Sequence, residues 1–400
     1  MKLVNPIKPD FVAQAQALEE EMIARRRDFH RHPELGFQEV RTAGIVAQEL
    51  NKLGLEVRTG VGRTGVVGLL EGDRPGPVIL LRFDMDALPI VEANATDYAS
   101  QTPGVTHACG HDGHTTIGLA VAKMLTPLRV KMAGTVKFVF QPAEEGLNGA
   151  AAMVQDGVLE SPAPERSLAL HLWNDKPLGW VAATDGPAMA AAGKFAITLQ
   201  GKGGHGASPF LAKDPVVAAA HIITALQTIV ARNVNALDTA VVSVTSVKGG
   251  EAFNVIPDSV KMLGTIRTYK PEVRDLVVRR FTEIVTGMAK TLECEAVIEL
   301  EKVAPAVAND SQMSAAVRAL ARNLPGVAQV VDNERTMGSE DMAYMMDTIP
   351  GCYFFVGSAD AARGLNFPHH HPRFDFDERA LIIGAALMAQ AAADYVLKSV

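Results

Sequence analysis

The sequence predicts an α/β protein interrupted by a smaller inserted α+β domain, and three observations lead there. Apolar strand-like runs end in chemistry-bearing residues: VILLRFDMD in Asp84 and Asp86, GTVKFVFQPAEEG in Glu144 and Glu145, and SLALHLW at His171. Continuous apolar runs suit strands covered on both faces, and open α/β sheets hold their ligands at the carboxyl ends of such strands. Residues 193–301 then run strand, helix, strand, strand, helix, strand, which is the ferredoxin-like order. Beyond it the style of the first segment returns. The larger domain is therefore expected to be discontinuous, 1–188 and 303–400, around an insert at 189–302.

Taking the elements in order, Phe11, Ala15, Leu18, Met22 and Ile23 recur at helical spacing and predict a helix over 11–27. Pro33 and Gly36 break that pattern in DFHRHPELGFQE, a turn holding His30 and His32. These histidines read as supporting or structural groups, with direct metal ligation the other possibility. A second helix is expected over 40–53, stopped by Gly54. LEVRTG, TGVVGLLEG and VILLRFDMD follow as strands, with Asp84 and Asp86 on one face of the last; a loop-capping aspartate pair is the plainer alternative. TTIGLAVAKML puts Ile117, Val121, Met124 and Leu125 on one helical face, and 135–140 is a strand. Within the insert, the helix PEVRDLVVRRFTEIVTGMAKTL carries the stripe Leu276, Val277, Phe281, Ile284, Val285 and Met288. The tail offers a helix over 311–323, the strands GVAQVVD and CYFFVG, the loops TMGSEDMAYMM and FPHHHPRFDFDE, and a last helix from Glu378 to about 397.

A chain of 400 residues with 48% hydrophobic and 21% charged residues has material for two cores. Its net charge of −7, pI near 5.9 and lack of a Lys/Arg tract argue against a nucleic-acid partner. Pro6 and Pro9 fall where a signal peptide needs an apolar run, and no later run suggests a membrane span, so a cytoplasmic protein is expected. Cys109, Cys294 and Cys352 form no disulfide framework and suit a reducing compartment. Only Cys109 has metal-binding company.

That company is HACGHDGH, His107 to His114, with three histidines, an aspartate and a cysteine among small residues. If the segment is extended, Cys109 and His111 face one point and form a ligand pair. Together with Asp84, Asp86, Glu144, Glu145, His171, Glu340, Asp341 and His369 to His371, the donors exceed what one tetrahedral zinc needs. Two adjacent cations would use the surplus. Adjacent carboxylates tend to point apart, so one member of the Glu144–Glu145 pair can bind metal while the other moves a proton, and metal-assisted hydrolysis follows. A structural zinc site would want paired CxxC spacing, which is absent. Ser339 lies in GSED rather than a GxSxG elbow, and GKGGHG lacks the full spacing of a phosphate loop. In the insert, His205 sits in that Gly-rich loop, where it could reach a neighbouring site or be a surface turn residue. Asn254 and Arg267 are polar in apolar strand context; Arg267 could grip a carboxylate or simply pair on the sheet face.

DFHRHPELGFQE, RFDMDALP, HACGHDGH, FVFQPAEEG, LHLW, GGHGASP, FNVIPD, GTIRT, MGSEDMAYM and HHPRFDFDE, in that order, resemble the amidohydrolase branch of the aminoacylase and carboxypeptidase family of dinuclear metallopeptidases. That branch includes hippurate hydrolases, N-acyl-amino-acid amidohydrolases and plant auxin-conjugate hydrolases. The resemblance implies a zinc-peptidase-like mixed sheet covered by helices, with a ferredoxin-like lid that mediates homodimerisation. It also implies two divalent metal ions, manganese or zinc with cobalt or nickel possible, held by Cys109, His111, Glu145, His171 and His370. His370 is chosen among the three consecutive histidines by its distance from Pro372. Glu144 would be the general base, Asp86 the aspartate that orients a ligand histidine, and His205 an oxyanion donor across the dimer. Asn254 and Arg267 would receive the substrate carboxylate, and the role of Asp84 stays open. The implied activity is hydrolysis of N-acyl or N-aroyl amino acids. A dipeptidase or carboxypeptidase is the runner-up, and a non-catalytic metal-binding protein on the same fold is the alternative from another class.

Overall fold

The computed structural model describes residues 9–397. Its contacts divide the chain into two compact units, one of 1–188, 308–335 and 341–400, the other of 189–307 and 336–340. Relative to the sequence expectation, residues 303–307 and the segment 336–340 lie with the insert. The strand Glu295–Ala304 explains part of the difference, because its pairing with Ala191–Gln200 runs past 302 to Ala304.

The larger unit is built on an eight-stranded mixed sheet in the order Glu56–Val61, Gly65–Glu71, Ala133–Gln141, Arg74–Asp84, Arg166–Pro177, Gly351–Ala359, Trp180–Ala182 and Gln329–Val331. The four central strands, from Ala133–Gln141 to Gly351–Ala359, pair in parallel, so their carboxyl ends share one edge. That edge carries Asp84, the turn after Gln141, and His171. The helix His111–Leu125 lies against the same strands and buries every residue but Lys123. It comes close because Gly118 has no side chain: a Cβ there would meet Phe83 and Phe140 at 2.6–2.7 Å. Those rings lie tilted against each other with centroids 5.5 Å apart in the hydrophobic core.

The smaller unit pairs its strands antiparallel in the order Ala240–Lys248, Ser259–Thr268, Ala191–Gln200, Glu295–Ala304, with helices Pro215–Thr228 and Pro271–Thr291. Numbered within the unit this order is 2-3-1-4, the ferredoxin-like arrangement. The expected stripe is present in part, since Val277, Phe281 and Val285 are buried along with Val273 and Ala289. One sequence reading needs correction. Among the described residues, Pro215–Asn233 is long and apolar enough to cross a membrane. Ala218, Ala219, Ile222, Leu226 and Ile229 of this run join the unit's own hydrophobic core, while Val216, Val217 and Val230 stay exposed.

Local differences from the sequence reading have identifiable causes. The first helix is two, Phe11–Ala17 and Glu19–Arg31, and the second continues through His30. The helix predicted from Thr115 begins at His111, because Gly110 at φ +94° turns the chain left-handed just before it. Cys109 and His111 therefore meet across a turn, not along a pleat. The strand Arg74–Asp84 stops at Asp84, so Asp86 lies beyond it and the two aspartates do not share a strand face.

Candidate metal centre

Among the described residues, the larger unit's candidate metal ligands gather at the carboxyl edge of its parallel strands. Cys109, His111 and His171 bring one donor atom each within 4.8 Å of the others, and so do Cys109, Glu145 and His370, and His111, Glu144 and Glu145. Cys109 belongs to two of these triads, and its Sγ is 3.5 Å from His171 Nε2. Each of these two triads could hold a cation.

The hydrogen bonds around the imidazoles prepare them for that task. His171 Nδ1 lies 2.7 Å from Leu172 O, and a carbonyl can only accept, so Nδ1 carries the proton and Nε2 keeps a lone pair toward Cys109. His111 Nδ1 likewise donates to Asp86, at 2.9 Å to its carbonyl and 3.2 Å to Oδ1, leaving Nε2 aimed at Glu145. Asp86 Oδ2 accepts from the Glu145 N–H at 3.0 Å. One carboxylate thus orients both a histidine and the EE turn. Such partners of metal ligands fix tautomer and ring orientation.

Charge completes the fit. Burial and then the neighbouring Glu145, Glu144 and Asp84 carboxylates push the Cys109 thiol well above its usual range. Burial works against charge on His111, yet Asp84, Asp86 and Glu145 raise it to about 10. The pocket is anionic and asks for positive charge, which divalent cations supply while stabilising the thiolate. Burial, then His114 and His369, hold His171 well below its usual value, in the neutral form a ligand needs. Glu145 Oε1 is buried and makes no well-formed hydrogen bond, although His370 Nε2 stands 3.2 Å away. A carboxylate oxygen without a formed hydrogen bond, with imidazole nitrogens turned toward it, is what a cation would satisfy.

The other histidines differ in how their ring nitrogens are used. His114 Nε2 accepts from the Leu172 N–H at 2.9 Å and Nδ1 meets Asp84 Oδ1 at 2.6 Å, so both ring nitrogens are used. His369 Nε2 accepts from the Asn174 N–H at 3.1 Å, which turns Nδ1 toward Cys109 Sγ at 3.9 Å. His370, at φ +65°, presents Nε2 to Glu145. Asp84 binds Arg82 Nη1 at 2.6 Å through its second oxygen, so both oxygens of its carboxylate have partners. His107 is buried with neither ring nitrogen hydrogen-bonded. His30 Nδ1 reaches Asp112 at 2.8 Å, the residue next to His111, while His32 bonds the carbonyl of Asp28 in its own helix.

His114, Asn174, Arg82 and Arg26 received no role from the sequence. His114 had a signal, since it lies one turn from His111 once the helix start is placed correctly. Asn174 and Arg26 had none, because their partners are far away in sequence, and of Arg82's partners only Asp84 is near.

In the smaller unit, His205 is exposed, and its short strand pairs with Val255–Ile256 so that Gly206 N–H donates to Asn254 O at 2.8 Å. His205 and the exposed Asn254 are therefore neighbours. Arg267 is half-buried, with Nη1 donating to Ser339 Oγ at 3.0 Å, and desolvation lowers its pKa.

Convergent thiol, imidazole and carboxylate donors, on the carboxyl edge of a mixed sheet and beside a carboxylate pair, define a metal-dependent hydrolase. The chain belongs to the peptidase family M20/M25/M40, whose pattern matches residues 80–394. It is similar to IAA-amino acid hydrolase ILR1-like 4 of Arabidopsis thaliana, with 40% identity over 381 residues, 94% of this chain and 86% of the relative. N-acetyl-L-cysteine deacetylase of Bacillus subtilis (strain 168) is 36% identical over 375 residues, covering 94% and 88%. The crystal structure of the Bacillus subtilis YXEP protein, a dinuclear metal-binding peptidase of the M20 family, superposes with a TM-score of 0.83 at 35% identity, covering 95% of this chain and 99% of that one. Amide hydrolysis is thus the activity class.

Proposed function

We propose that the protein hydrolyses the amide bond of N-acyl or N-aroyl amino acids, releasing a carboxylic acid and the free amino acid. The observation that carries this is the Glu144–Glu145 pair beside His111, with Glu145 also in the Cys109–His370 triad. Both carboxylates lie in the His111 cluster and Glu145 also joins Cys109 and His370, so this reading gives metal holding to Glu145 and proton transfer to Glu144. The relatives named IAA-amino acid hydrolase and N-acetyl-L-cysteine deacetylase support the substrate class.

In this reading Cys109, His111, Glu145, His171 and His370 hold two divalent cations, manganese or zinc, with cobalt or nickel also compatible with the donor set. When bound, such ions polarise the scissile carbonyl and lower the pKa of the attacking water. Glu144 accepts a proton from that water as its oxygen joins the carbonyl carbon, then gives the proton to the leaving nitrogen as the C–N bond breaks. Asp86 keeps His111 and the EE turn in place throughout. For the smaller unit we propose His205 as an oxyanion donor supplied by a partner copy in a homodimer, and Asn254 and Arg267 as the groups that receive the substrate carboxylate.

The experiment is Glu144→Gln with bound metal measured alongside turnover of N-acetyl, N-benzoyl and indole-acyl amino acids. Metal retained with turnover lost is expected. Unchanged turnover removes Glu144 from the role, and a preference for free-amino dipeptides over every N-acyl compound replaces this reading with a dipeptidase.

A further inference from the structure

Glu39 begins the helix Val40–Lys52, where an acidic side chain ordinarily serves its own helix. Here it does not. Glu34 takes that duty, accepting from Arg41 N–H at 2.9 Å and Thr42 N–H at 2.8 Å. The Glu39 carboxylate turns away, fully buried, and accepts from Ala143 N–H at 2.8 Å and from the Thr64 hydroxyl at 2.6 Å. Burying a carboxylate is costly unless it is well bonded, so a residue that spends one oxygen on the turn at Thr64 and the other on the loop before Glu144 calls for an explanation.

Ala143 stands immediately before the carboxylate pair. It is completely buried and left-handed, at φ +54°, a conformation that Cβ disfavours. Its carbonyl accepts from Gly149 N–H at 3.0 Å, closing the 143–149 loop, while the Glu145 end is held separately by Asp86. Gly36 is shaped for the same loop: a Cβ on it would come within 3.0 Å of Ala143 Cα. The PELGFQE stretch thus forms a platform for the turn that carries Glu144 and Glu145.

We propose that Glu39 is a positioning residue for Glu144: it holds the Ala143 peptide in its left-handed geometry and so aims the Glu144 carboxylate. The proposal rests on Glu144 being the proton carrier. Because Asp86 fixes Glu145 independently, Glu39 governs turnover and not metal binding. Its conservative replacement is informative, since a Gln amide keeps an acceptor for Ala143 and turns a donor toward Thr64 Oγ.

The test compares E39A, E39Q, the double variant E39A/A143G and E144Q by kcat, KM, bound metal per chain and melting temperature. E39A is expected to lose about 10- to 100-fold in kcat, as a misplacement near 1 Å would cause, with KM and metal content held. E39Q should stay close to the parent. E39A/A143G should recover several-fold over E39A, because glycine enters the left-handed region without help. E144Q inactive while E39A turns over at the parental rate overturns the positioning role alone; E144Q fully active overturns the Glu144 assignment and this inference together. Equal losses in E39A, E39Q and the double variant also overturn it. Should E39A fail to accumulate, Thr64→Val, which frees one carboxylate oxygen, must lower kcat at unchanged metal content, and an unchanged kcat there is equally decisive against the proposal.

Discussion

Arg26 donates from Nε to Asp112 Oδ2 at 2.9 Å, and both side chains are sealed from solvent. The same guanidinium reaches Asp375 at 2.7 Å and Glu378 at 3.3 Å and lies against the Phe376 ring at 4.4 Å. It thereby ties the segment bearing Cys109 and His111 to the segment bearing His370. Burial alone would lower its pKa, but Asp112, Asp375 and Glu378 raise it well above the ordinary value. Arg26→Met leaves buried carboxylates without their counter-charge and should cost about 3–5 kcal/mol. Denaturant unfolding measures this, and a loss under 1 kcal/mol would mean the cluster relaxes freely. Arg26→Lys should rescue little, since one ammonium cannot span the partners of a planar fork.

Asp86 bonds both His111 and the Glu145 amide. Asp86→Ala should weaken metal affinity by about 10- to 100-fold, read by competition with a chromophoric chelator. Parental affinity in that variant would show that the His111 ring is held by packing alone.

Removing the metals should abolish turnover and lower the melting temperature, because cations bind the folded donor set and not the unfolded chain. At a free cation concentration of 100 times Kd the linkage is about 2.7 kcal/mol. Calorimetry of chelated and reloaded protein tests it. A melting temperature indifferent to chelation and reloading would contradict a cation-filled pocket.

His30 supplies a pH test. Burial and Arg26 oppose its charge, but hydrogen bonds to Asp112 and Glu92 outweigh them and raise its pKa above the usual histidine value. A raised folded value means the stabilisation is complete below about pH 6.5 and fades as pH climbs through the folded value. The stability gap between the parent and His30→Gln should therefore be largest in mild acid and shrink toward alkaline pH. A gap that is flat from pH 5 to 9 would show that His30 is neutral in the folded protein.

Much of the fold was legible because apolar periodicity is local. The runs VILLRFD and TVKFVFQ read as doubly covered strands, and the insert's strand and helix order was readable residue by residue. The register of the HACGHDGH turn was not. Whether Cys109 and His111 meet along a pleat or across a bend depends on the conformation of Gly110, which glycine leaves open in either direction. The helix start, and with it the engagement of His114 by Asp84 and Leu172, followed from that one residue.

By itself, then, the sequence determined the donor chemistry: which residue types exist, that they cluster at strand ends, and that two carboxylates stand side by side in FVFQPAEEG. Only the tertiary structure decided which donors face one another and which are spent elsewhere. His369 and His370 adjoin in the chain, yet a ring nitrogen of the first is taken by the Asn174 N–H and the second is turned to Glu145. Hydrogen bonds between residues a hundred or more positions apart, such as Glu39 to Ala143, leave no local pattern, because the energy that selects them exists only once the chain has folded.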